Sequence, residues 1–522
     1  MIKLQWSRWV MMTLVLGMGS QLKAEEVPLP IMEPASYFEN VQAEDVITPV
    51  GFSCNEDPCG EGCCPLPGGD GCGIGCCNSG CDSGCFLFSD EPLLSGLKNM
   101  QIGCSDWTLS VGGSLRYRYM DEQNRLRPTG GNPNNSEYNL WRFDPGVTLK
   151  YKDRVTFFAE MIDASQFNEE IQTLPIDVNR WDLQRLYVDL KVAELENGTL
   201  RYRYGRDYLK FGNQHLLSPL AWANTYRNFQ GHKLYYQGAD WNIDAFAMQS
   251  VNGASGGQFR PNNGDRVDQS RWISGIYGTK KKFVGGSLDA YWLWSLEQEP
   301  NPARQDGDRH TFGLRYYGSK PVKECGDVVR TWAWDVDGGL QLGDDTFGMQ
   351  TTDVYAGFFG AKVGHTWNKA TWTPNVTGLF WYGSGDGDPG TGNNKTYFSL
   401  YPLGHAYWGI IDQFSGQNLI DYSVQASVKP TKKLTLAGQF HVFHKAEEED
   451  QIYNIAGVGL GPTGGNDRHI GNELDLIGTY AFNKNTNLQI GYQWFWYGGA
   501  VSNTALARPD AKQLYIQALY KF

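Results

Sequence analysis

Arginine and lysine residues recur at alternate positions between residues 116 and 227, a spacing that places side chains on one face of a β-strand. Arg116 and Arg118 are two residues apart, as are Arg201 and Arg203. Arginine binds carboxylates through a planar fork of N–H donors, so we predict an anion-binding, pore-lining face. Its candidate residues are Arg116, Arg118, Arg142, Lys150, Arg185, Arg201, Arg203, Arg206 and Arg227.

Two alternatives stay open for these charges. Arg206 and Arg227 are equally suited to bind backbone carbonyl groups in the connection after the fifth predicted strand. From the ninth predicted strand onward acidic side chains dominate the same face, and we expect an acidic wall opposite the basic one. Its residues are Asp335, Asp337, Asp421, Glu473 and Asp475. The competing interpretation is that basic and acidic groups simply pair and hold water.

Catalytic and metal-binding chemistry have little support in the sequence. The eight histidines are scattered, and His-Glu-x-x-His, P-loop and Gly-x-Ser-x-Gly motifs are absent. A Ser–His site assembled across strands is the enzyme alternative, with His441 as its candidate. Asp386 and Asp388 lack the full spacing of a calcium loop, so a glycine turn is the simpler interpretation. We predict no enzyme activity, no cofactor and no metal ion.

Period-two alternation of apolar and polar residues dominates residues 105–522 and is typical of β-strands. We predict eighteen strands. Connections after odd-numbered strands are long, including 343–353 and 383–418, whereas connections after even-numbered strands are tight except around Cys325. A soluble sandwich has no reason to alternate in this way, but an outer-membrane barrel does. The predicted fold is all-β, a transmembrane antiparallel β-barrel with a largely irregular N-terminal arm.

Composition excludes several other classes. The 522-residue chain has 63 glycines, 14% aromatic residues and a formal charge of −12. A nucleic-acid-binding protein would carry a basic excess, and a disordered chain would lack the aromatic residues. A helical membrane protein needs runs of about 20 apolar residues, and none follows the first twenty positions.

The N-terminal region indicates export. Residues 1–24 have the basic start, short apolar core and small-residue cleavage site of a secretory signal peptide. Residues 25–104 form an acidic, cysteine-rich segment that we expect to be a periplasmic arm or linker. Its first part, 25–97, holds thirteen Asp and Glu and no Lys or Arg. We place residues 105–522, the barrel, in the outer membrane.

Eleven cysteines agree with an oxidising compartment. Nine lie within 54–85, and disulfides are favoured over a metal cluster because the segment contains no histidine. We expect Cys104 or Cys325 to bond to the arm, which would plug, anchor or only tether the barrel. An envelope layer or another chain, linked through cysteine, is a further partner to test. The disulfide candidates are Cys54, Cys59, Cys63, Cys64, Cys72, Cys76, Cys77, Cys81, Cys85, Cys104 and Cys325.

Several stretches carry a resemblance to a known family. Alternation up to the final Phe522 is similar to the C-terminal signal that barrel assembly machinery recognises. A Ser-Gly-Asp loop with downstream His, Asp and Asn, and the stretches 205–231 and 471–475, resemble the alginate-export family of outer-membrane porins over residues 105–522. The loop residues are Ser384, Gly385, Asp386, His405, Asp412 and Asn418. The cysteine-rich arm departs from the family pattern.

The resemblance implies export of a polyuronate. Together with the basic face it predicts an outer-membrane channel that passes anionic solutes. The alternatives are a general diffusion porin and a structural barrel that anchors the envelope. The expected partners are outer-membrane lipid, an anionic solute or polyuronate, and the barrel assembly machinery, but not nucleic acid.

Overall fold

The computed structural model describes residues 93–126, 135–168, 170, 173–174, 176–252, 264–298, 306–347, 350–460 and 467–522. The predicted signal segment and the nine clustered cysteines lie outside the described residues.

Eighteen antiparallel strands form one closed sheet in which each strand pairs with its sequence neighbours, which confirms the predicted fold. The strands are β1 (Trp107–Gln123), β2 (Asn135–Tyr151), β3 (Val155–Phe167), β4 (Asn179–Leu195), β5 (Gly198–Asp207), β6 (Phe229–Gly238), β7 (Trp241–Asn252), β8 (Arg266–Phe283), β9 (Gly286–Glu297), β10 (Asp306–Glu324), β11 (Asp327–Phe347), β12 (Gln350–Trp367), β13 (Asn375–Gly383), β14 (Leu419–Val428), β15 (Leu434–Lys445), β16 (His469–Ala481), β17 (Thr486–Tyr497) and β18 (Ala511–Lys521).

Closure occurs between β18 and β1, in a register that runs from Lys512 opposite Gln123 to Lys521 opposite Ser114. β1 begins at Trp107, but β18 pairs only with its residues from Ser114 onward. The first residues of β1 therefore form an edge with no partner in β18. The two-residue strand Met100–Gln101 pairs with this edge. The sheet therefore gains edge pairing beyond the end of β18.

The outer face of the sheet is apolar. Leu314 and Tyr355 are each 59% exposed, and Tyr422 is 54% exposed. Such side chains alternate with buried inward-facing ones, as expected when lipid lies on one side and a filled interior on the other. The described part of the chain has no helix with the length and apolar character needed to cross a membrane.

The two ends of the barrel differ. The turn end carries the connections after even-numbered strands, together with Met100–Gln101 and Phe522; the loop end carries the others. Two predicted connections were wrong in length. Cys325 lies in a two-residue turn, and the supposed long segment 343–353 shrinks to residues 348–349, because strand pairing continues through Asp344 opposite Asp353.

Cys104 and Cys325 are both exposed at the turn end. Cys104 precedes β1 and Cys325 follows β10, so ten strands lie between them in one direction around the ring and eight in the other. We expect at least one of them to be bonded to a cysteine of the 54–85 cluster in the oxidised protein. Non-reducing peptide mapping measures this directly. Free alkylation of both thiols would rule out a covalent anchor for the arm.

Candidate functional site

Two connections at the loop end pack inside the barrel. We call residues 208–228, between β5 and β6, the first inner loop, and residues 384–418, between β13 and β14, the second inner loop. Their apolar side chains are buried although they belong to no strand: Leu217 and Tyr397 are 0% exposed and Trp408 is 1% exposed. They join inward-facing strand residues in one hydrophobic cluster. The loops therefore constrict the lumen.

The inner loops are bonded to each other. Ser218 N donates to Tyr401 O, and Tyr401 N donates to Leu216 O, both at 2.9 Å. Arg227 Nη1 donates to the carbonyl groups of Ser218 and Pro402 at 3.3 Å. Burial lowers the pKa of Arg227 to about 10, so it stays a cation at neutral pH. The structure thus places Arg227 on backbone carbonyl groups that link the two loops.

Three arginines from β1 and β2 hold the first inner loop. Arg116 donates to the carbonyl groups of Ala221 at 3.0 Å, Trp222 at 3.1 Å and Ala223 at 2.7 Å. Arg142 donates to the Ala221 and Ala223 carbonyl groups at 3.2 Å. Both guanidinium groups are almost completely buried. These acceptors bind Nη donors of both residues and carry no negative charge, whereas the buried Nε atoms of Arg116 and Arg142 have no hydrogen-bond partner among the described residues.

Arg118 completes this group, which we call the arginine trio (Arg116, Arg118 and Arg142). Its Nε and Nη2 donate to Gln517 Oε1 at 2.9 and 2.7 Å, and its guanidinium carbon lies 3.5 Å from the centre of the Trp222 ring. Among the described residues, Asp144 is the one carboxylate within ion-pair distance of the trio, 3.3 Å from Arg142 Nε. Positive charge is therefore concentrated at this level of the lumen.

The basic residues of β4 and β5 are compensated instead. Arg185 pairs with Glu160 at 2.6 Å. Arg201 and Arg203 share Asp189, at 2.6 and 2.8 Å. For these residues the geometry agrees with the competing interpretation of the sequence, in which basic and acidic groups of the lumen pair with one another.

The two remaining basic candidates differ from this group. Arg206 donates to the carbonyl groups of Leu183 at 2.7 Å and Asp265 at 3.1 Å, so it binds backbone. Neither carbonyl belongs to the first inner loop, where we expected it. Lys150 is exposed close to the turn end of β2.

The acidic residues of β16 bind the second inner loop. Glu473 Oε1 accepts a hydrogen bond from Ile411 N at 2.9 Å. Gly409 makes this approach possible: it has φ +86°, and a Cβ there would lie 2.5 Å from Glu473 Oε2. Asp475 accepts a hydrogen bond from Gln439 Nε2 at 2.8 Å. Both carboxyl groups are completely buried.

The other acidic candidates lie on β11 and β14. Asp335 pairs with Arg315 at 2.7 Å. Asp337 accepts a hydrogen bond from Tyr291 at 2.8 Å and lies 3.4 Å from His215 Nδ1 of the first inner loop. On β14, Asp421 Oδ2 lies 2.8 Å from the Nδ1 atom of β15 residue His441, the candidate for a Ser–His site.

The sheet order corrects the expected opposition of two walls. In a ring of eighteen strands, β16 is three strands from β1. Glu473 and Asp475 therefore lie on the same side as Arg118. Only Asp335 and Asp337, on β11, lie across the lumen from the arginine trio. The error arose because sequence distance hides the closure of the ring.

The family loop residues fix the second inner loop. Ser384 Oγ accepts a hydrogen bond from Gly357 N at 3.0 Å and donates to Lys395 O at 2.7 Å. Asn418 Nδ2 donates to two carbonyl groups of the connection after β15. A Cβ at Gly385 would lie 2.0 Å from Asn418 Oδ1, so only glycine fits there.

Asp386 and Asp412 also serve loop structure. Asp386 N donates to Asp450 Oδ2 at 2.9 Å. Asp412 Oδ2 lies 2.9 Å from His405 Nδ1. The described residues contain no group of three or more His, Cys, Asp or Glu side chains placed to hold a metal ion.

The His405 ring stacks on Trp222 at a centroid distance of 3.7 Å, which joins the two inner loops above Arg118. Burial lowers the pKa of His405, against the opposing effect of Asp412. The ring is therefore neutral at pH 7. This contact was not predicted. The sequence did contain one signal for it: both loops are rich in apolar residues, which is unusual for exposed connections.

We expect Trp222→Ala to widen the constriction, because it removes a ring that contacts both Arg118 and His405. Loss of a buried Trp side chain costs about 3–5 kcal/mol of packing. Single-channel conductance in planar bilayers should rise. The matched control is Trp181→Ala, since Trp181 is 61% exposed on the outer face. Unchanged conductance in Trp222→Ala would contradict the assignment.

Acidification should loosen the same contact. Because the pKa of His405 is lowered on folding, packing is stable above its ordinary pKa of about 6.5 and weakens as pH falls through the folded value. Protonation would place a cation near Arg118 and Arg125, with Asp412 as the opposing charge. Conductance should therefore rise between pH 7 and pH 4. His405→Phe keeps an aromatic ring and should weaken this pH response; an identical profile would contradict it.

The described fold is similar to solved outer-membrane proteins. The outer membrane protein OprD from Pseudomonas aeruginosa matches with a TM-score of 0.50 and 10% identity, covering 82% of this chain and 97% of that one. OccD3 (OpdP) from Pseudomonas aeruginosa matches with a TM-score of 0.49 and 12% identity, covering 79% and 91%. No curated protein matches the sequence. At such identities the likeness concerns the fold alone.

The family model described as alginate export matches residues 107–511, which span β1 to the start of β18. This confirms the resemblance inferred from the sequence. The chain belongs to the alginate export family and has the fold of an outer-membrane porin-like barrel.

Proposed function

We propose that this barrel is an outer-membrane channel that passes anionic solutes, and that polyuronates are the solute class to test first. The observation that carries the proposal is the arginine trio, three buried guanidinium groups with one carboxylate neighbour. Rings of Arg and Lys favour anions in pores. The turn end would face the periplasm, as short turns do in such barrels.

The hydrogen bonding of the trio supports this reading. Neutral carbonyl groups of Ala221 and Ala223 accept hydrogen bonds from Nη atoms of Arg116 and Arg142 without cancelling their charge. A solute carboxylate that reaches this level offers two acceptor oxygens and a negative charge to the same forks. It can therefore replace the loop carbonyl groups as the acceptor when the first inner loop moves.

A polyanion would meet further cationic groups between the trio and the turn end. Lys150 is exposed there, and Arg201 retains 16% of its side-chain exposure while paired with Asp189. Arg201 is a weaker anion site than the trio because Asp189 neutralises part of its charge. We assign the constriction the main role in selectivity. Enzyme activity is not part of this proposal.

The test is ion selectivity of the purified barrel in planar bilayers under a salt gradient. Replacing Arg116, Arg118 and Arg142 by Gln should shift the reversal potential toward cations. A charge at contact distance is worth on the order of 1 kcal/mol even in water, so the permeability ratio should change by roughly fivefold or more.

The control removes three exposed loop-end charges, through Lys395→Gln, Arg468→Gln and Lys512→Gln, and should leave selectivity unchanged. Heat-modifiable migration on gels establishes that each variant is folded. An unchanged reversal potential in the folded trio variant contradicts the proposal. If alginate oligomers fail to block the current while small anions pass, the chain is a general diffusion porin. A barrel that conducts no ions supports an anchoring role.

A further inference from the structure

Unpaired lysines are distributed unevenly around the turn end of the barrel. Six exposed lysines lie at turns between β8 and β17, and the described residues place no carboxylate within ion-pair distance of them. Acidic neighbours in this sector are already engaged: Glu324 with Arg330 at 3.1 Å and Asp327 with Lys369 at 2.8 Å. We call the six lysines the basic rim: Lys282, Lys323, Lys429, Lys432, Lys433 and Lys484.

The rest of the turn end is closer to charge balance, although Lys150 and Arg154 are exposed there with no ion-pair partner among the described residues. Lys152 pairs with Asp106 at 2.9 Å, and Lys191 pairs with Asp153 and Glu194 at 2.6 Å. Lipid headgroups surround every turn of a barrel in the same way. A charge excess concentrated in one sector therefore fits a partner attached at one place better than a uniform lipid surface.

The chain itself carries a partner of matching charge. Residues 25–92 contain thirteen Asp and Glu and no Lys or Arg. The segment that follows them is fixed at the turn end: Leu93 N donates to the Tyr520 hydroxyl at 2.8 Å, and Lys98 Nζ donates to Phe522 O at 3.0 Å. The acidic residues therefore enter the structure at the same end as the basic rim.

Reach does not limit the contact. Strand spacing and tilt give an eighteen-stranded barrel a diameter of about 35 Å. An extended chain covers about 3.3–3.6 Å per residue, so roughly a dozen residues cross the opening. Residues 25–92 are several times longer than this.

We propose that the acidic segment 25–92 docks on the basic rim of its own barrel. Opposite charges separated by less than a Debye length, about 10 Å at 0.1 M salt, are only partly screened, and the covalent tether raises the local concentration of the segment at the rim. Docking also brings the 54–85 cysteines toward Cys325, which lies beside Lys323 in the same sector. The proposal does not depend on which solute the channel passes.

Zero-length carbodiimide cross-linking of the full-length protein in neutral detergent tests the contact. The reagent joins Asp or Glu carboxyl groups to lysine amines within contact distance, and peptide mass spectrometry locates each link. We expect links from residues 25–92 to Lys429 and Lys433, lost when salt is raised to 0.5 M.

The double variant Lys432→Glu/Lys484→Glu should reduce links to the unchanged Lys429 and Lys433 by at least about threefold. Lys395→Glu/Lys512→Glu makes the same charge change at exposed loop-end positions and should have no effect. Equal linkage to the rim and to Lys395 or Lys152 would overturn the proposal. Links formed only between isotope-labelled and unlabelled copies would also overturn it, because they would assign the rim to a second copy of the chain. Links abolished by phosphatidylglycerol vesicles would overturn it as well, because they would assign the rim to anionic lipid.

Discussion

Closure of the sheet between β18 and β1 is the constraint on which the other features depend. A strand edge in hydrocarbon has no water to satisfy its N–H and C=O groups, so the sheet must return to its first strand. The start of β1 extends past the end of β18, and the strand Met100–Gln101 supplies part of the pairing that is missing there. Eighteen strands enclose an interior too wide for wall side chains alone to fill. The apolar inner loops occupy that space, and the constriction follows from the width that closure imposes.

Packing loops inside the ring takes charged wall residues out of water, and the barrel meets this demand in two ways. Arg185 and Arg203 receive carboxylate partners, Glu160 and Asp189, so their charge is cancelled locally. Arg116 receives backbone carbonyl groups, which accept hydrogen bonds from its Nη atoms and do not cancel its charge. Hydrogen bonds to neutral groups lower the cost of burying a charged side chain, but they do not cancel its charge. Selectivity at the constriction would arise from that difference.

The strands were predictable because lipid on one face and polar or packed interior on the other create a local period of two. The ends of the strands were harder to predict. For example, Asp344 pairs with Asp353, so β11 and β12 extend through residues whose sequence is typical of a loop. Alternation also places Arg116 and Arg118 on one face. It cannot place Trp222 beneath His405, since that contact joins residues 183 positions apart in two irregular segments. Nor can it show that Glu473, 355 positions after Arg118, is three strands away.

The family motif residues have structural roles, which limits what the family match implies about the solute. Ser384, Gly385 and Asn418 hold the second inner loop through backbone contacts, and Gly409 admits the Glu473 carboxyl group beside it. These positions preserve the architecture of a constriction, whatever passes through it. In the proposed channel, solute choice would instead depend on charged wall residues buried against the first inner loop, the arginine trio above all. Under that proposal, two members could share every motif residue and pass different solutes, because the residues that fix the second inner loop differ from the residues proposed to select an anion.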